Sequence, residues 1–570
     1  MSDASSASRP VGLILGSQDA TPLDFWVGVR EGERLQLDDL VVVRTVVAGG
    51  EEVTFYGIVD IVRKRFEGSQ FDTDAFRVAE GTLPADVSYA AHVQVTRVEP
   101  ELFVPPTPGD AVQVVHDEEF RKALYFDRME RSVAIGLTRT GEPVHANLEF
   151  LDGTRGAHAS ISGVSGVATK TSYASFILYS LFHSNALGLD AANAKALIFN
   201  VKGEDLLWLD KPNAKLTPET RAEYDALGLP AGPFQSVAFF APARKGSVTP
   251  MPDTGSRQEG IRPYVWTMRE FCRERLLRFV FVDGEDARAQ IHLVIARVEQ
   301  ALERAAREGD QSSASVTVDG VPLTSFHDLV ELAGGPWLEA QLLASRVAAG
   351  TQDAFVRRLH AAAERMGHLV SGHSEARGRA IDWSAQQVTV VDIHSLHATA
   401  QLFVVGVLLK RMMDQKEQQG GSRPLVFVVL DELNKYAPRE GWSPLHGLLL
   451  DIAERGRSLG VSLFGAQQTA SEVERRIVGN AALKIVGRLD AAESERSEYG
   501  FLTKVGRVRA TLLRPGSMIV AQPEIPMAIL LRFPFPAWAT RASEVAAEES
   551  GGPGNPGSAA SKDPFARMSF

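Results

Sequence analysis

Cysteine is nearly absent from the sequence, because Cys272 is the only one among 570 residues. A single cysteine excludes an intrachain disulfide and any zinc site built from several cysteines. Apolar runs of the roughly 20 residues that a membrane span needs are also missing, since stretches such as "LFVVGVLLKRMM" are short and carry charge. The start, "MSDASSASRP", lacks the basic and apolar segments of a secretory signal. These absences predict a cytoplasmic location without membrane contact.

Positive charge is not in excess either, because 60 Lys and Arg residues face 71 Asp and Glu residues and the formal net charge is −11. This balance argues against a generally basic surface that coats nucleic acid. It is compatible with a local basic channel, because phosphate contacts need only a few well-placed cations. With 44% apolar and 23% charged residues, the composition is that of a globular chain long enough for several domains.

Residues 10–116 alternate apolar and polar side chains with the period of two that is typical of strands. Six such runs, from "PVGLILG" to "DAVQVV", are separated by Gly, Pro and Asp, as in "VAGGEE" and "VPPTPGD". Six short strands without a helix between them predict a small β-barrel. Residues 1–9 precede this barrel and are predicted to be disordered.

Residues 117–542 alternate between strand-like and helical patterns. "QVTVVDIHSL" and "RPLVFVVLDEL" are continuous apolar runs, as expected of strands buried on both faces of a parallel sheet. "TAQLFVVGVLLKRMMDQ" lies between them with helical spacing, so the pattern predicts a doubly wound α/β core. A mostly helical insertion is predicted at about 264–381, including "YVWTMREFCRERLLRFVF". The tail, 543–570, is rich in Gly, Ser and Pro and is predicted to be disordered.

The stretch "ISGVSGVATKTSYASF" is similar to a phosphate-binding loop, whose usual pattern is G-x-x-x-x-G-K-[ST]. An apolar strand precedes it, and Lys170 and Thr171 open an amphipathic helix, as phosphate binding by backbone N–H groups and a lysine requires. Thr169 stands where a glycine is usual, and the loop is one residue longer. The alternative is an ordinary strand–turn–helix. The candidate nucleotide-binding residues are Gly163, Val164, Ser165, Gly166, Val167, Ala168, Thr169, Lys170 and Thr171.

The second half of such a site should be an apolar strand that ends in acidic residues. "PLVFVVLDE" supplies Asp431, which can orient Mg²⁺, and Glu432, which can activate the attacking water. The alternative is a strand that ends at a polar turn. Two motifs in the correct order, each on a buried strand, favour a nucleotide site.

The segment "HGLLLDIAERGRSLGVSLFGAQQTAS" combines a helix with a following strand. The helix ends in Arg455 and Arg457, and an arginine there can reach across a subunit boundary to neutralise transition-state charge. The strand ends at Gln467 and Gln468, where a polar side chain can sense the γ-phosphate. Alternatively, the arginines are helix-end cations that face the helix dipole. "GRSLG" matches a hydrolase G-x-S-x-G turn but is rejected, because helix precedes strand here.

These segments together resemble the HerA/FtsK superfamily of ring-forming DNA translocases, and HerA most closely. The N-terminal strands resemble the barrel that precedes the ATPase core in that family. "LIFNVKGEDLL", "VVLDELNKYAP" and "AERGRSLGVSLFGAQQTAS" are similar to its successive core motifs, and "NAALKIVGRL" and "LRPGSMIVA" to its closing elements. The resemblance implies an α/β fold: a RecA-like P-loop NTPase core with a helical insertion and an N-terminal β-barrel.

Residue roles follow from the resemblance by position. Lys170 and Thr171 would bind phosphate and Mg²⁺ of ATP, with Asp431 as the second metal residue and Glu432 as the catalytic base. Gln468 would sense the γ-phosphate. Further cations implied for the site are Arg457 as the trans-acting finger, Arg455 as its rival, Lys484 near the phosphates and Arg155 as a second finger. The glycine that HerA proteins carry before the lysine is absent, which suggests a bacterial defence subgroup.

The implied function is an ATP-driven double-stranded DNA translocase or helicase that assembles head to tail as a homohexamer. It would act with a nuclease or Sir2-like effector in antiphage defence. The alternative is a nucleotide-binding scaffold that activates an effector enzyme with little or no translocation. A conjugative coupling pump is disfavoured by the missing membrane segments. Candidate pore residues are Lys202, Arg377 and Arg379, although a solvated turn is the favoured interpretation of each.

Overall fold

The computed structural model describes residues 9–67, 71–164, 170–247, 249–281, 289–342 and 347–546. The predicted disorder of residues 1–9 and 543–570 therefore falls largely on residues outside these ranges. The described chain continues past the predicted start of the tail, and Glu544 there is 3% exposed.

Within the described residues, six antiparallel strands close into a barrel in the order β1-β2-β5-β4-β3-β6. The predicted N-terminal β-barrel is therefore confirmed. The prediction that no helix interrupts its strands was wrong, because α1, Asp74–Ala79, lies between β4 and β5. The strands are β1 Gly12–Ile14, β2 Asp24–Val29, β3 Leu40–Val46, β4 Glu52–Phe66, β5 Val87–Glu99 and β6 Ala111–Val114.

Strand β3 shows how the period of two builds the barrel. Val41 and Val43 point inward and belong to the barrel core, whereas Leu40 and Val42 belong to the core of the neighbouring large sheet. An ion pair ties the two units together, because both terminal nitrogens of Arg509 donate to Asp38, at 2.7 and 2.6 Å. The barrel is thus packed directly on the sheet through one face of β3.

In the described part of the chain, twelve strands form one sheet in the order β12-β11-β17-β10-β18-β19-β9-β20-β21-β22-β7-β8. Strands from β12 to β20 in this order run parallel, and β21, β22, β7 and β8 extend the sheet antiparallel. The strands are β7 Ser132–Leu137, β8 Pro143–Asn147, β9 Ala159–Ser162, β10 Lys195–Asn200, β11 Val237–Pro242, β12 Ile261–Tyr264, β17 Val388–Asp392, β18 Val426–Leu430, β19 Val461–Gln467, β20 Leu483–Val486, β21 Ser517–Ala521 and β22 Ile529–Arg532.

Both faces of this sheet are covered, which explains the continuous apolar runs of the central strands. On β18, Val428 packs into the apolar cluster on one face and Val429 into the cluster on the other. The helices are α2 Asp117–Ala123, α3 Lys170–His183, α4 Pro218–Ala226, α5 Met268–Arg273, α6 Ala289–Glu308, α7 Phe326–Gly334, α8 Pro336–Leu342, α9 Ala349–Met366, α10 Ala398–Gln419, α11 Leu433–Tyr436, α12 Pro444–Leu459, α13 Arg475–Asn480, α14 Ala491–Ser494 and α15 Lys504–Leu512.

The segment between β12 and β17 is mostly helical, as predicted, but its first part differs from the prediction. Residues 264–281 do not form one helix. A short strand, β13 Trp266–Thr267, pairs with β16 Val370–Ser371 before α5 begins, and β14 Val316–Val318 pairs with β15 Val321–Leu323 further along. Thr267 caps α5 through a reciprocal bond with Glu270, which sets the start of that helix.

The last described residues pack along residues 211–214, between β10 and α4. Asn213 donates from Nδ2 to the carbonyl oxygens of Pro536 and Trp538, at 3.2 and 3.1 Å, and forms a β-bridge with Val545. We call residues 533–546 the C-terminal strap. Within the described residues, no helix combines the length and apolar character that a membrane span requires.

Candidate functional site

Lys170 begins α3 at the carboxyl end of β9. Its ammonium donates to the carbonyl oxygen of Gly163 at 2.7 Å, and the side chain is only 5% exposed. Burial lowers the pKa of Lys170 to about 8, and the nearby carboxylate of Asp431 opposes that shift. The lysine is therefore a cation held close to the strand end by backbone, as phosphate binding requires.

Thr171 and Asp431 meet although 260 residues separate them along the chain. The Thr171 hydroxyl donates to Asp431 Oδ2 at 3.0 Å, and the backbone N–H of Glu432 donates to Asp431 Oδ1 at 2.8 Å. Strand β19 lies between β9 and β18, so the two strand ends face each other across one intervening strand. A hydroxyl and a carboxylate in contact are oxygen ligands of the kind that Mg²⁺ prefers. The residues present thus fit the predicted metal.

Glu432 follows β18 in a left-handed backbone conformation, with φ 57° and ψ 43°. Such a conformation is unfavourable for a residue with a side chain and is often found at functional sites. Lys202 Nζ lies 3.0 Å from Glu432 Oε1, and Lys435 forms a second ion pair with the same carboxylate. Burial raises the pKa of Glu432, but the hydrogen bonds from Lys435 and Lys202 outweigh it and leave the pKa below its usual value.

A cavity of about 370 Å³ lies beside Lys170, Thr171 and Asp431. One wall is formed by residues after β9, β10 and β18, and the other wall by the C-terminal strap. The strap residues and Asp205 were not identified from the sequence, because no motif links them to the phosphate loop. Lining residues from the two walls include Lys170, Thr171, Lys202, Asp205, Asp431, Thr540 and Arg541.

The predicted phosphate loop is described only at its two ends. Ser165, Gly166, Val167, Ala168 and Thr169 lie outside the described residues. At the start of the loop, the N–H of Gly163 donates to the Gln467 carbonyl at 3.1 Å, and that of Val164 donates to the Arg488 carbonyl at 2.7 Å. Val164 also lines the cavity. The described start of the loop is thus tied to the ends of β19 and β20.

The predicted finger residues lie at the other edge of the sheet. Arg155, Arg457 and Lys484 line one open depression of about 840 Å³, together with the residue that precedes β9 and the first turn before β20. Five residue steps from His158 to Gly163, at about 3.3 Å each, span roughly 16 Å. Lys484 therefore does not share a cavity with Lys170 of the same chain, and neither do the two arginines.

Each cation in this depression has defined partners. Arg457 donates to the carbonyl oxygens of Gly153 and Thr154, at 3.0 and 2.6 Å. Arg155 donates to Glu524 at 3.0 Å, and Lys484 lies 5.8 Å from the ring centre of Phe501. Gly153 has φ 89°, and a Cβ there would meet the Arg457 carbonyl oxygen at 2.7 Å, so this close approach requires glycine.

Arg455 points elsewhere, because it pairs with Asp451 and Glu417, at 3.0 and 2.7 Å. Of the two rival arginines, Arg457 is the one that lines the depression. At the end of β19, Gln468 is exposed, whereas Gln467 is fully buried and donates to Ser160 and Ser162, at 2.7 and 3.0 Å.

The pore candidates fall in two different places. Lys202 lines the cavity that holds Lys170 and contacts two carboxylates there, so the structure does not favour its assignment to a pore. The sequence alone does not reveal that β10 lies beside β18. Arg377 and Arg379 lie at the far end of the insertion, where the N–H of Val265 donates to the Arg379 carbonyl.

No protein-family model and no curated protein matches the chain. Among solved structures, VirB4 of Thermoanaerobacter pseudethanolicus is 13% identical, with 71% of this chain and 96% of that chain covered and a TM-score of 0.45. Plasmid coupling protein TrwB in complex with ADP and Mg²⁺ is 12% identical, with 74% and 94% covered and a TM-score of 0.45. The genome packaging NTPase B204 from Sulfolobus turreted icosahedral virus 2 is 12% identical, with 26% and 69% covered and a TM-score of 0.20.

The core has the RecA-like P-loop fold. Its strand order places one strand between the phosphate-loop strand and the acidic strand, with Thr171 and Asp431 in contact across it. The predicted fold class, an α/β RecA-like core with a helical insertion and an N-terminal β-barrel, is confirmed. This assignment rests on the strand order and the contact across it, and the similarities to solved structures assign no function.

Proposed function

We propose that the chain binds ATP with Mg²⁺ in the cavity at the carboxyl edge of the sheet and hydrolyses it. Lys170, at the start of α3, holds the β- and γ-phosphates. Thr171 and Asp431 hold Mg²⁺, which when bound neutralises charge on the phosphate oxygens. Glu432 accepts a proton from the attacking water.

One observation carries this proposal: the hydrogen bond of 3.0 Å between Thr171 and Asp431 beside the buried ammonium of Lys170. An ordinary strand–turn–helix has no reason to bring a threonine hydroxyl against an acid from a strand two positions away in the sheet. The ammonium of Lys170 lines the same cavity and is a cation suited to an anionic ligand. A triphosphate with its metal fits both features.

We further propose that the active form is a head-to-tail ring, a homohexamer by family resemblance. Arg457 and Lys170 lie at opposite edges of the parallel sheet, so one chain cannot bring them together. A heterologous contact places the finger edge of one subunit against the nucleotide edge of the next. Arg457 then neutralises transition-state charge in its neighbour, with Arg155 and Lys484 beside it.

The work proposed for this ring is translocation on double-stranded DNA, in partnership with a nuclease or Sir2-like effector in antiphage defence. The motif resemblance to HerA supports this proposal. Two proteins with similar solved structures are a conjugative coupling protein and a genome packaging NTPase, and their names indicate activities of the same broad kind for those proteins. The net charge of −11 means that DNA contact would be confined to a local basic channel.

A second candidate is a nucleotide-binding scaffold that activates an effector with little hydrolysis. The observation that favours it is the state of Glu432, whose carboxylate is paired with Lys202 and Lys435 and has a lowered pKa. A weak base of this kind is poorly suited to rapid turnover. Thr169, in place of the usual glycine, also favours a site with slow hydrolysis.

The test is ATP hydrolysis by the full chain with and without duplex DNA, compared with Glu432→Gln. The motor predicts stimulation by DNA and a loss of about 100- to 10,000-fold in the variant, since general bases contribute about that much. The scaffold predicts that Glu432→Gln still assembles and still activates its effector. Absence of ATP binding and hydrolysis in the wild-type chain would contradict both.

A further inference from the structure

Lys202 sits on a turn whose position is fixed by a buried amide. Asn200, at the end of β10, is 1% exposed and donates from Nδ2 to the Gly203 carbonyl at 2.8 Å and to Asp392 Oδ1 at 2.9 Å. Asp392 is fully buried and also contacts His394 Nδ1 at 2.8 Å. The turn that carries Lys202 is thus anchored to two neighbouring strands.

The lysine side chain itself is partly exposed and contacts two carboxylates. It is 41% exposed, and its ammonium lies 3.0 Å from Glu432 Oε1 and 3.5 Å from Asp431 Oδ2. It lines the same cavity as Lys170, and its charge contributes to the lowered pKa of Lys170. An anchored turn with a partly exposed cation at its tip can exchange one anionic partner for another.

We propose that Lys202 is a γ-phosphate-binding lysine that pairs with Glu432 until ATP enters and then transfers to the terminal phosphate. This inference rests on the proposed ATP site. A terminal phosphate carries more negative charge than a carboxylate and lies where Lys170 and Thr171 direct it, so the exchange is favourable. Release of Glu432 from Lys202 leaves one of its oxygens available to water only when a γ-phosphate is present.

Lys435 provides a matched comparison. It pairs with the same carboxylate from the helix that follows Glu432, three residues further along the chain. Among the described residues that line the cavity, Lys435 is not found, whereas Lys202 is. A general effect of removing one positive charge beside Glu432 would appear in variants of both lysines. An effect on γ-phosphate recognition would appear only in variants of Lys202.

The experiment measures the dissociation constants of AMP-PNP and ADP, both with Mg²⁺, by calorimetry on the full-length chain. We expect wild type to bind the triphosphate analogue more tightly than ADP. Lys202→Met should weaken AMP-PNP binding by about tenfold or more, the effect of one charge-assisted hydrogen bond, and leave ADP binding within about threefold. Lys435→Met should keep the wild-type ratio of the ADP dissociation constant to the AMP-PNP dissociation constant. Lys202→Arg should restore part of that ratio.

ADP binding by Lys202→Met serves as the control for folding, because it uses the rest of the same site. The inference is overturned if Lys202→Met keeps the wild-type ratio, if both lysine variants lose it equally, or if ADP binding falls as much as AMP-PNP binding. It is also overturned if wild type binds both nucleotides equally. A wild-type chain that binds neither nucleotide would refute the ATP site itself. Failure of the ATP site is thus distinguished from failure of the inference about Lys202.

Discussion

The contact between Thr171 and Asp431 makes a quantitative prediction for Thr171→Val. Valine has nearly the same shape but lacks the hydroxyl that donates to Asp431 at 3.0 Å and that we assign to Mg²⁺. Asp431 is 4% exposed, so solvent compensates little for the lost partner. A hydrogen bond to a charged group contributes about 1.5–3 kcal/mol. We therefore expect Mg²⁺-ATP to bind roughly 10- to 100-fold more weakly.

The assay is competition of ATP against a fluorescent ADP analogue, with Mg²⁺ and with a chelator in its place. The weakening should appear with Mg²⁺ and fall to within about threefold when the metal is chelated, since the lysine contacts are intact. Thr171→Ser keeps a hydroxyl at the same position and should bind nearly as wild type. Equal losses with and without metal, or no loss at all, would refute the assignment of Thr171 to the metal.

Three further predictions concern the lysine, the finger and the barrel. Because burial sets the pKa of Lys170 to about 8, its charge is lost as pH rises through that value, and ATP binding should weaken about tenfold between pH 7 and pH 9. Mixing Arg457→Ala with Lys170→Ala subunits should restore up to about a quarter of wild-type ATPase activity, since one interface in four then has both residues. Arg509→Met breaks the two-bond ion pair with Asp38, and hydrogen exchange in β3 and β4 should accelerate by roughly 30-fold, about 2 kcal/mol.

Each of these predictions has its own control. Lys170→Arg should flatten the pH dependence, because arginine stays charged at pH 9. Mixtures that remain inactive although rings form would speak against a finger acting between subunits. Arg139→Met removes the neighbouring ion pair to Asp39, in which the arginine is 44% exposed, so its effect on exchange should stay under about 1 kcal/mol. Equal effects of Arg509→Met and Arg139→Met on hydrogen exchange would contradict the claim that the ion pair of Arg509 with Asp38 holds the barrel on the core.

The strands and motif residues of the core could be predicted from the sequence because local pattern determines them. β17 and β18 are apolar on both faces, and this pattern is typical of interior strands of a parallel sheet. Asp431 follows β18 directly, and Lys170 opens the helix after β9. Since parallel strands end at one edge, the two motifs had to face the same side of the sheet.

Features that depend on the order of strands could not be predicted. Lys202 contacts Glu432 because β10 is hydrogen-bonded to β18, and no local pattern encodes that neighbour relation. Arg541 reaches the cavity because the C-terminal strap runs back beside Asn213, more than 300 residues earlier. The segment at 264–281 has helical spacing, but pairing of β13 with β16 overrides it.

The most direct measurement of the central claim is equilibrium binding of Mg²⁺-ATP to the purified full-length chain and to Lys170→Ala. Lys195→Ala serves as the charge-matched control, because Lys195 lies at the start of β10, far from the carboxyl ends of the strands. We expect one ATP per wild-type chain, unchanged binding in the control, and binding weakened by at least about 100-fold in Lys170→Ala. A wild-type chain without affinity for ATP, or a Lys170→Ala variant that binds as wild type does, would contradict it.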